Sequence, residues 1–147
     1  MSSEIRTDID TPSADGIAEA LAVARRWLPE FAAGRRAAED VYAPNVSTWH
    51  NVGEWEAEIK QTPSRTRRVQ AGADIHLESL RCRVFDGGFV VQATTAGTSA
   101  EGVPVRVPTV LVVTVTDGRI ARFEEYADSA AATALFGGSA KDEHFHD

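Results

Sequence analysis

Cysteine is almost missing from this chain: Cys82 stands alone among 147 residues. One cysteine excludes an intramolecular disulfide and any cysteine-built zinc cage. It lies in "LRCRV", and no base accompanies it at a recognisable spacing. A small buried filler is the reading that follows. Positive charge is also short. Fifteen Lys and Arg against 22 Asp and Glu leave a net charge of −7, which argues against nucleic-acid partners, because those need clustered cations. The one basic run, "SRTRRVQ" (Ser64 to Gln70), breaks quickly and reads as a solvated loop rather than an anion site. No apolar stretch approaches the roughly 20 residues that cross a bilayer, so no membrane partner is expected. The start, "MSSEIRTDIDTPSADG", lacks the apolar core of a signal peptide, and a cytoplasmic location is expected. Glycine-rich phosphate loops, zinc-protease motifs and serine-nucleophile elbows are missing too. His144 and His146 in "HFHD" have no third ligand at useful spacing, so neither a metal nor an organic cofactor is expected.

What is present fits one domain. Residues 1–14 read as a disordered arm, 15–137 as the domain and 138–147 as a flexible tail. Asp15 is predicted to cap a helix from about Gly16 to Leu28, with Ile17, Leu21, Ala24 and Leu28 on one stripe. Pro29 bends or restarts it, Gly34 ends it, and a shorter helix, "RRAAEDVYA", stops before Pro44. "VSTWHNV" is β-rich, and "GEWEAEIKQTPSRTRR" reads as an irregular or helical insert. "DIHLESLRCRVFD" alternates, which groups Ile75, Leu77, Ser79 and Arg81 on one face and His76, Glu78, Leu80 and Cys82 on the other. "DGG" (86–88) and "DG" (117–118) are hairpin turns, so the long strands around them form an antiparallel meander. Asp128 caps a last helix, "SAAATALF".

Helices, then a sheet, then a helix make an α+β plan. The expected architecture is a cone: a curved antiparallel sheet wrapped around the N-terminal helices, as in a cystatin-like α+β roll. The mouth of such a cone is the natural pocket for a small-molecule ligand. The run "VPTVLVVTV" has β-branched residues on both faces, which predicts a homodimer through the outer sheet faces.

Two segments carry a family likeness. "VTDGRIARFEEYADSAAATALF" resembles the closing hairpin and helix of the SnoaL-like families, within the nuclear-transport-factor-two and ketosteroid-isomerase superfamily. "VYAPNVSTWHNVG" resembles the entry to that superfamily's first strand, and the resemblance spans roughly residues 15 to 137. The superfamily mixes isomerases, polyketide cyclases, epoxide hydrolases, dehydratases and non-catalytic binding modules, so the likeness implies a fold more than an activity. Set against limonene epoxide hydrolase, the resemblance places Gln92, Thr94 and Glu125 at its Asp–Arg–Asp positions, with Trp49 and Asn51 on the first strand. Only Glu125 and Asn51 keep suitable chemistry, so epoxide opening is not implied. Ketosteroid isomerase carries its general-base aspartate at the end of the first strand. One register sets Asn51 there and the other sets His50; a strand's period of two forbids both from facing the cavity. Asn51 cannot act as a base, whereas His50 can. SnoaL-type cyclases resemble this chain in tolerating an asparagine there and relying on an acidic residue in the last strand.

The expectations follow. In the favoured register Trp49 is a pocket wall, Asn51 an orienting donor, and His50 points outward; in the other, His50 faces inward. Glu125 is the leading acid–base candidate, and parity admits Glu124 or Glu125 to the cavity, not both. His76 sits mid-strand on the face expected to line the cone, and Trp27 is placed at the pocket floor. The catalytic candidates are thus Glu125, His76, Asn51 and His50; the ligand-binding ones are Trp27, Trp49, Gln92 and Thr94. The resemblance implies an isomerase- or cyclase-type enzyme acting by acid–base chemistry on a small, largely apolar carbonyl, polyketide or steroid-like compound. The competing expectation is a binding or accessory module that keeps the cone without the catalytic set.

Overall fold

The computed structural model describes residues 3–136. Residues 3–12 form no helix or strand and are exposed, and the predicted C-terminal tail, with His144 and His146, lies outside the described residues. The first helix, α1 (Ala14–Ala32), is capped by Ser13 rather than Asp15: the Ser13 hydroxyl accepts from the Gly16 amide at 3.0 Å. Its buried face is Ala20, Val23, Ala24 and Trp27, spaced for one stripe. Ile17, expected on that stripe, is 39% exposed. The helix continues through Pro29 to Ala32, so it does not restart there. Proline lacks the amide that would bond the Arg25 carbonyl, but it falls in the last turn, so only three residues of the helix follow it.

The predicted second helix does not form. "RRAAEDVYA" is too short to nucleate alone, and only Glu39–Val41 makes a 3₁₀ turn. Val41 and Tyr42 are drawn into the core instead, with the Tyr42 hydroxyl accepting from the Ala37 amide at 3.2 Å. The sheet therefore wraps one long N-terminal helix, not a pair.

Strands β1 (Tyr42–His50) and β2 (Trp55–Glu58) form a hairpin, and α2 (Ser64–Gln70) follows, so the expected insert resolves into a strand and a helix. The meander is β3 (Asp74–Phe85), β4 (Gly88–Thr98), β5 (Pro104–Thr116) and β6 (Arg119–Ala127), closed by α3 (Ser129–Phe136). The two predicted turns are there. Asp117 and Gly118 both have positive φ, +51° and +72°, as a tight hairpin of right-handed twist requires. At Gly88 a Cβ would stand 2.0 Å from the Val113 carbonyl oxygen, so only glycine lets β4 and β5 approach. Asp128 caps α3 through bonds from the Ala130 and Ala131 amides.

The sheet order is β2-β1-β6-β5-β4-β3, with β1 running parallel to β6 and every other pair antiparallel. It is a mixed sheet where an antiparallel one was expected. The α+β plan stands. A bulge in β3 also changes the predicted faces. Between Glu78 and Arg81 the register shifts, and Ser79 takes a φ of +56°. Before it Ile75 and Leu77 face inward; after it Cys82 and Val84 do. His76 is consequently outside, 60% exposed, where it pairs with Glu78.

Two apolar clusters form beneath the sheet. The larger packs α1 against Phe89, Val113, Ile120 and Phe123. The smaller packs α3 against Ile75, Val105 and Val107. The space between them is the site.

Candidate functional site

Val91 and Leu111 from the first cluster and Ile75 and Leu135 from the second line one partly open cavity of about 80 Å³. Thr95 and Thr109 add hydroxyls to the wall, and Glu125 is its one carboxylate among the described residues. Glu125 reaches it from β6 through a cross-sheet row. The parallel pairing of β1 and β6 sets His50 opposite Glu125, and the antiparallel pairing of β5 and β6 sets Leu111 on its other side. His50 is completely buried. Its Nε2 lies 3.0 Å from Glu125 Oε2, and the Glu125 side chain is 17% exposed. Across the β1–β2 hairpin, Trp55 stacks on the His50 ring with centroids 5.0 Å apart and planes 17° from parallel. A buried charge needs such a partner, since an unpaired carboxylate in apolar surroundings is costly.

The open register question thus resolves with His50 inward. The favoured expectation, Trp49 and Asn51 in the pocket, is corrected: Trp49 lies on the outer face against Tyr126, centroids 5.3 Å apart. Asn51 is a clamp between strands. Its Nδ2 donates to the Ala127 carbonyl and its Oδ1 accepts from the Ala127 amide, both at 2.9 Å, while its own amide donates to the Glu125 carbonyl. Asn51 therefore ties β1 to β6 beside Glu125. Glu125 faces in and Glu124 out, as parity required of one of them.

Other expected site residues lie elsewhere. Gln92 and Thr94 face away from the cavity, because Val91, Ala93 and Thr95 are the β4 residues that line it. Gln92 accepts instead from Arg83 at 3.2 Å on the outer face. Trp27 is core: it stacks on Phe31 at 4.6 Å and meets Phe89 and Phe123 at 5.6 Å. Phe31, one turn on, is the residue of α1 that reaches the cavity.

Sequence reasoning missed Arg65 and Arg68. The run "SRTRRVQ", read as a solvated loop, is α2, and both arginines line the cavity with Ser64 and Pro63. Arg65 Nη2 donates to the Phe31 and Ala32 carbonyls at 2.7 and 3.0 Å, the last turn of α1. A cation there meets the negative end of the helix dipole. Thr66 also bonds the Gly34 carbonyl, so α2 is anchored to the end of α1. The local density of arginine was the signal available. Among the described residues, no group of three His, Cys, Asp or Glu could hold a metal ion.

No protein-family model matches the sequence, and no curated protein does. Solved structures match closely in shape. The chain has the fold shared by SnoaL-like, nuclear-transport-factor-two-like and ketosteroid-isomerase-like proteins. A candidate SnoaL-like polyketide cyclase from Jannaschia superposes with a TM-score of 0.62 at 18% identity, covering 86% of this chain and 97% of the other. The BvnE pinacolase from Penicillium brevicompactum gives 0.62 at 15% identity, covering 84% and 92%. A nuclear-transport-factor-two-like protein from Burkholderia xenovorans gives 0.57 at 14%, covering 81% and 97%. At these identities the likeness establishes the fold. No helix among the described residues is long and apolar enough to cross a membrane.

Proposed function

We propose that this cavity takes a small, largely apolar carbonyl compound, polyketide- or steroid-like in kind, and that Glu125 moves a proton on it in isomerase or cyclase fashion. The observation that carries the reading is the Glu125–His50 pair, 3.0 Å apart, with the carboxylate in the cavity wall and the imidazole wholly buried behind it. With its proton on Nε2, His50 donates to Oε2 and holds the carboxylate as a base. The other carboxyl oxygen takes a proton from the carbon next to the substrate carbonyl, and the electron pair shifts to the carbonyl oxygen as an enolate. Glu125 then returns the proton to a different carbon. Thr95 or Thr109 supplies a hydroxyl to the enolate oxygen, and the apolar wall keeps water from it.

Solvent-deuterium incorporation into a panel of enolisable ketones, followed by NMR, tests this. Glu125→Gln keeps the shape and removes the titrating proton, so exchange should fall by about 10²–10⁴-fold. Its stability should be unchanged or higher, since a partly buried charge is relieved. No exchange above background with the unaltered protein sinks the catalytic reading.

A second reading is a binding or accessory module. What favours it is that His76 and Asn51 stand outside the cavity chemistry, which leaves Glu125 and His50 alone of the expected catalytic set. Glu125→Gln then alters affinity modestly, with no turnover in either form. In both readings we take the protein to be a homodimer through the outer sheet face, where Val110, Val112 and the Trp49–Tyr126 pair lie between charged edges.

A further inference from the structure

We infer that Phe31 sets how long a ligand the cavity accepts, because its ring divides the cavity from a second apolar space beside it. The inference rests on the reading of this cavity as the ligand site and deepens it by naming the residue that limits ligand size. The cavity measures about 80 Å³, against roughly 150 Å³ for an apolar cavity that holds a benzene ring. It therefore encloses the reacting end of a ketone, a carbonyl with a short alkyl chain, and anything longer must leave by the open mouth. A second space of about 30 Å³ adjoins it. Phe31 and Pro63 line both, so they stand between the two. Trp27, Tyr42 and Phe123 give the second space aromatic walls, and Ile59 gives it an aliphatic one.

Of the two dividing residues, Phe31 is the one whose side chain can be cut back without touching the backbone. Pro63 caps the start of α2, and its ring is closed onto the main chain. The Phe31 ring is stacked on Trp27, centroids 4.6 Å apart and planes 19° from parallel. The Arg65 guanidinium carbon lies 5.5 Å from the same ring centroid. These contacts hold the ring in place, which a size limit requires, since a loose side chain would yield to a longer ligand. The seating of α2 uses the Phe31 carbonyl and not its ring, and alanine is a good helix former. Phe31→Ala should therefore join the two spaces and leave α2 docked. A longer alkyl chain would then reach Trp27, Tyr42 and Phe123. Each methylene taken out of water there should tighten binding about fourfold.

The test is a series of straight-chain methyl ketones, from butanone to nonanone, titrated into the full chain with affinities read from NMR chemical shifts. In the unaltered protein the affinity should rise with each methylene and then level off, because further methylenes stay in water. Phe31→Ala should move the levelling point to a longer chain. The longest ketones should then bind about 10-fold more tightly or better, as two further buried methylenes would give. Phe31→Leu, which keeps an apolar side chain, should move the point less, and it carries the test if the Ala form fails to fold. A levelling point unmoved in the folded variants, no levelling in the unaltered protein, or no binding of any ketone overturns the inference. Its failure is separable from that of the catalytic reading. Deuterium exchange with an unmoved levelling point sinks the inference alone, and a moved point without exchange sinks the catalysis alone. No binding at all sinks the cavity as a ligand site and the inference with it.

Discussion

Trp55 lies face to face with His50, ring centroids 5.0 Å apart, on the side of the histidine away from Glu125. The imidazole is thus held from both flanks, by an aromatic face and by a carboxylate oxygen. Replacing Trp55 by Leu keeps an apolar residue on the strand but loses the stack. The expected cost is about 0.5–1.5 kcal/mol beyond the area lost, which urea denaturation will measure. Deuterium exchange should fall as well, because the ring loses one of its two restraints. Trp55→Phe should recover most of both.

The His50–Glu125 pair should show measurable coupling. His50→Phe leaves the Glu125 carboxylate without its buried donor, and Glu125→Leu leaves the imidazole without its acceptor. Each single change should cost about 1–3 kcal/mol, whereas the double change should cost less than their sum, because no polar group is then stranded. A double-mutant cycle with zero interaction energy contradicts the pairing.

Asn51→Ala removes both bonds to Ala127 and loosens the joint between β1 and β6. We expect a loss of about 1–3 kcal/mol, the usual result of stranding part-buried backbone groups. Hydrogen exchange at the Ala127 amide should accelerate in step. Asn51→Asp keeps the acceptor but not the donor, so it should fall between the two.

Burial pushes the Cys82 thiol above its ordinary range. The folded state then holds the thiol proton more tightly than the unfolded chain does. The resulting stability is complete below the unfolded thiol value, about 8.5, and is lost as pH rises through the folded one. Urea midpoints should therefore decline on the alkaline side, and Cys82→Val should flatten that decline. Iodoacetamide should react with Cys82 more slowly than with a free thiol at pH 8.

Where the chain obeys local rules, the sequence was readable. Asp117–Gly118 announces its turn and Asp128 its cap. The site was harder because each of its parts depends on a distant partner. On β1 the inward residues include polar Thr48 and His50 while the outward Trp49 is aromatic, so hydrophobic alternation reports the opposite register. The bulge at Ser79 inverts the parity of β3 with no glycine to mark it, which sent His76 to the wrong face. Arg65 is placed by the Phe31 and Ala32 carbonyls more than thirty residues earlier, so the local density of arginine shows a cationic segment but not where it docks.

The parallel pairing of β1 with β6 bears on how the molecule folds. The meander β3–β6 joins neighbours through tight turns, so its contacts close short loops. The Asn51–Ala127 clamp joins residues 76 apart in sequence, and closing so long a loop has an entropic cost that must be met before the contact yields anything. The expected order is that the hairpin carrying His50 docks after the meander, and pulsed hydrogen exchange during refolding should show the Ala127 amide protected later than the β4 and β5 amides. On that order a chain stalled before closure would have strands and turns but no acid–base pair.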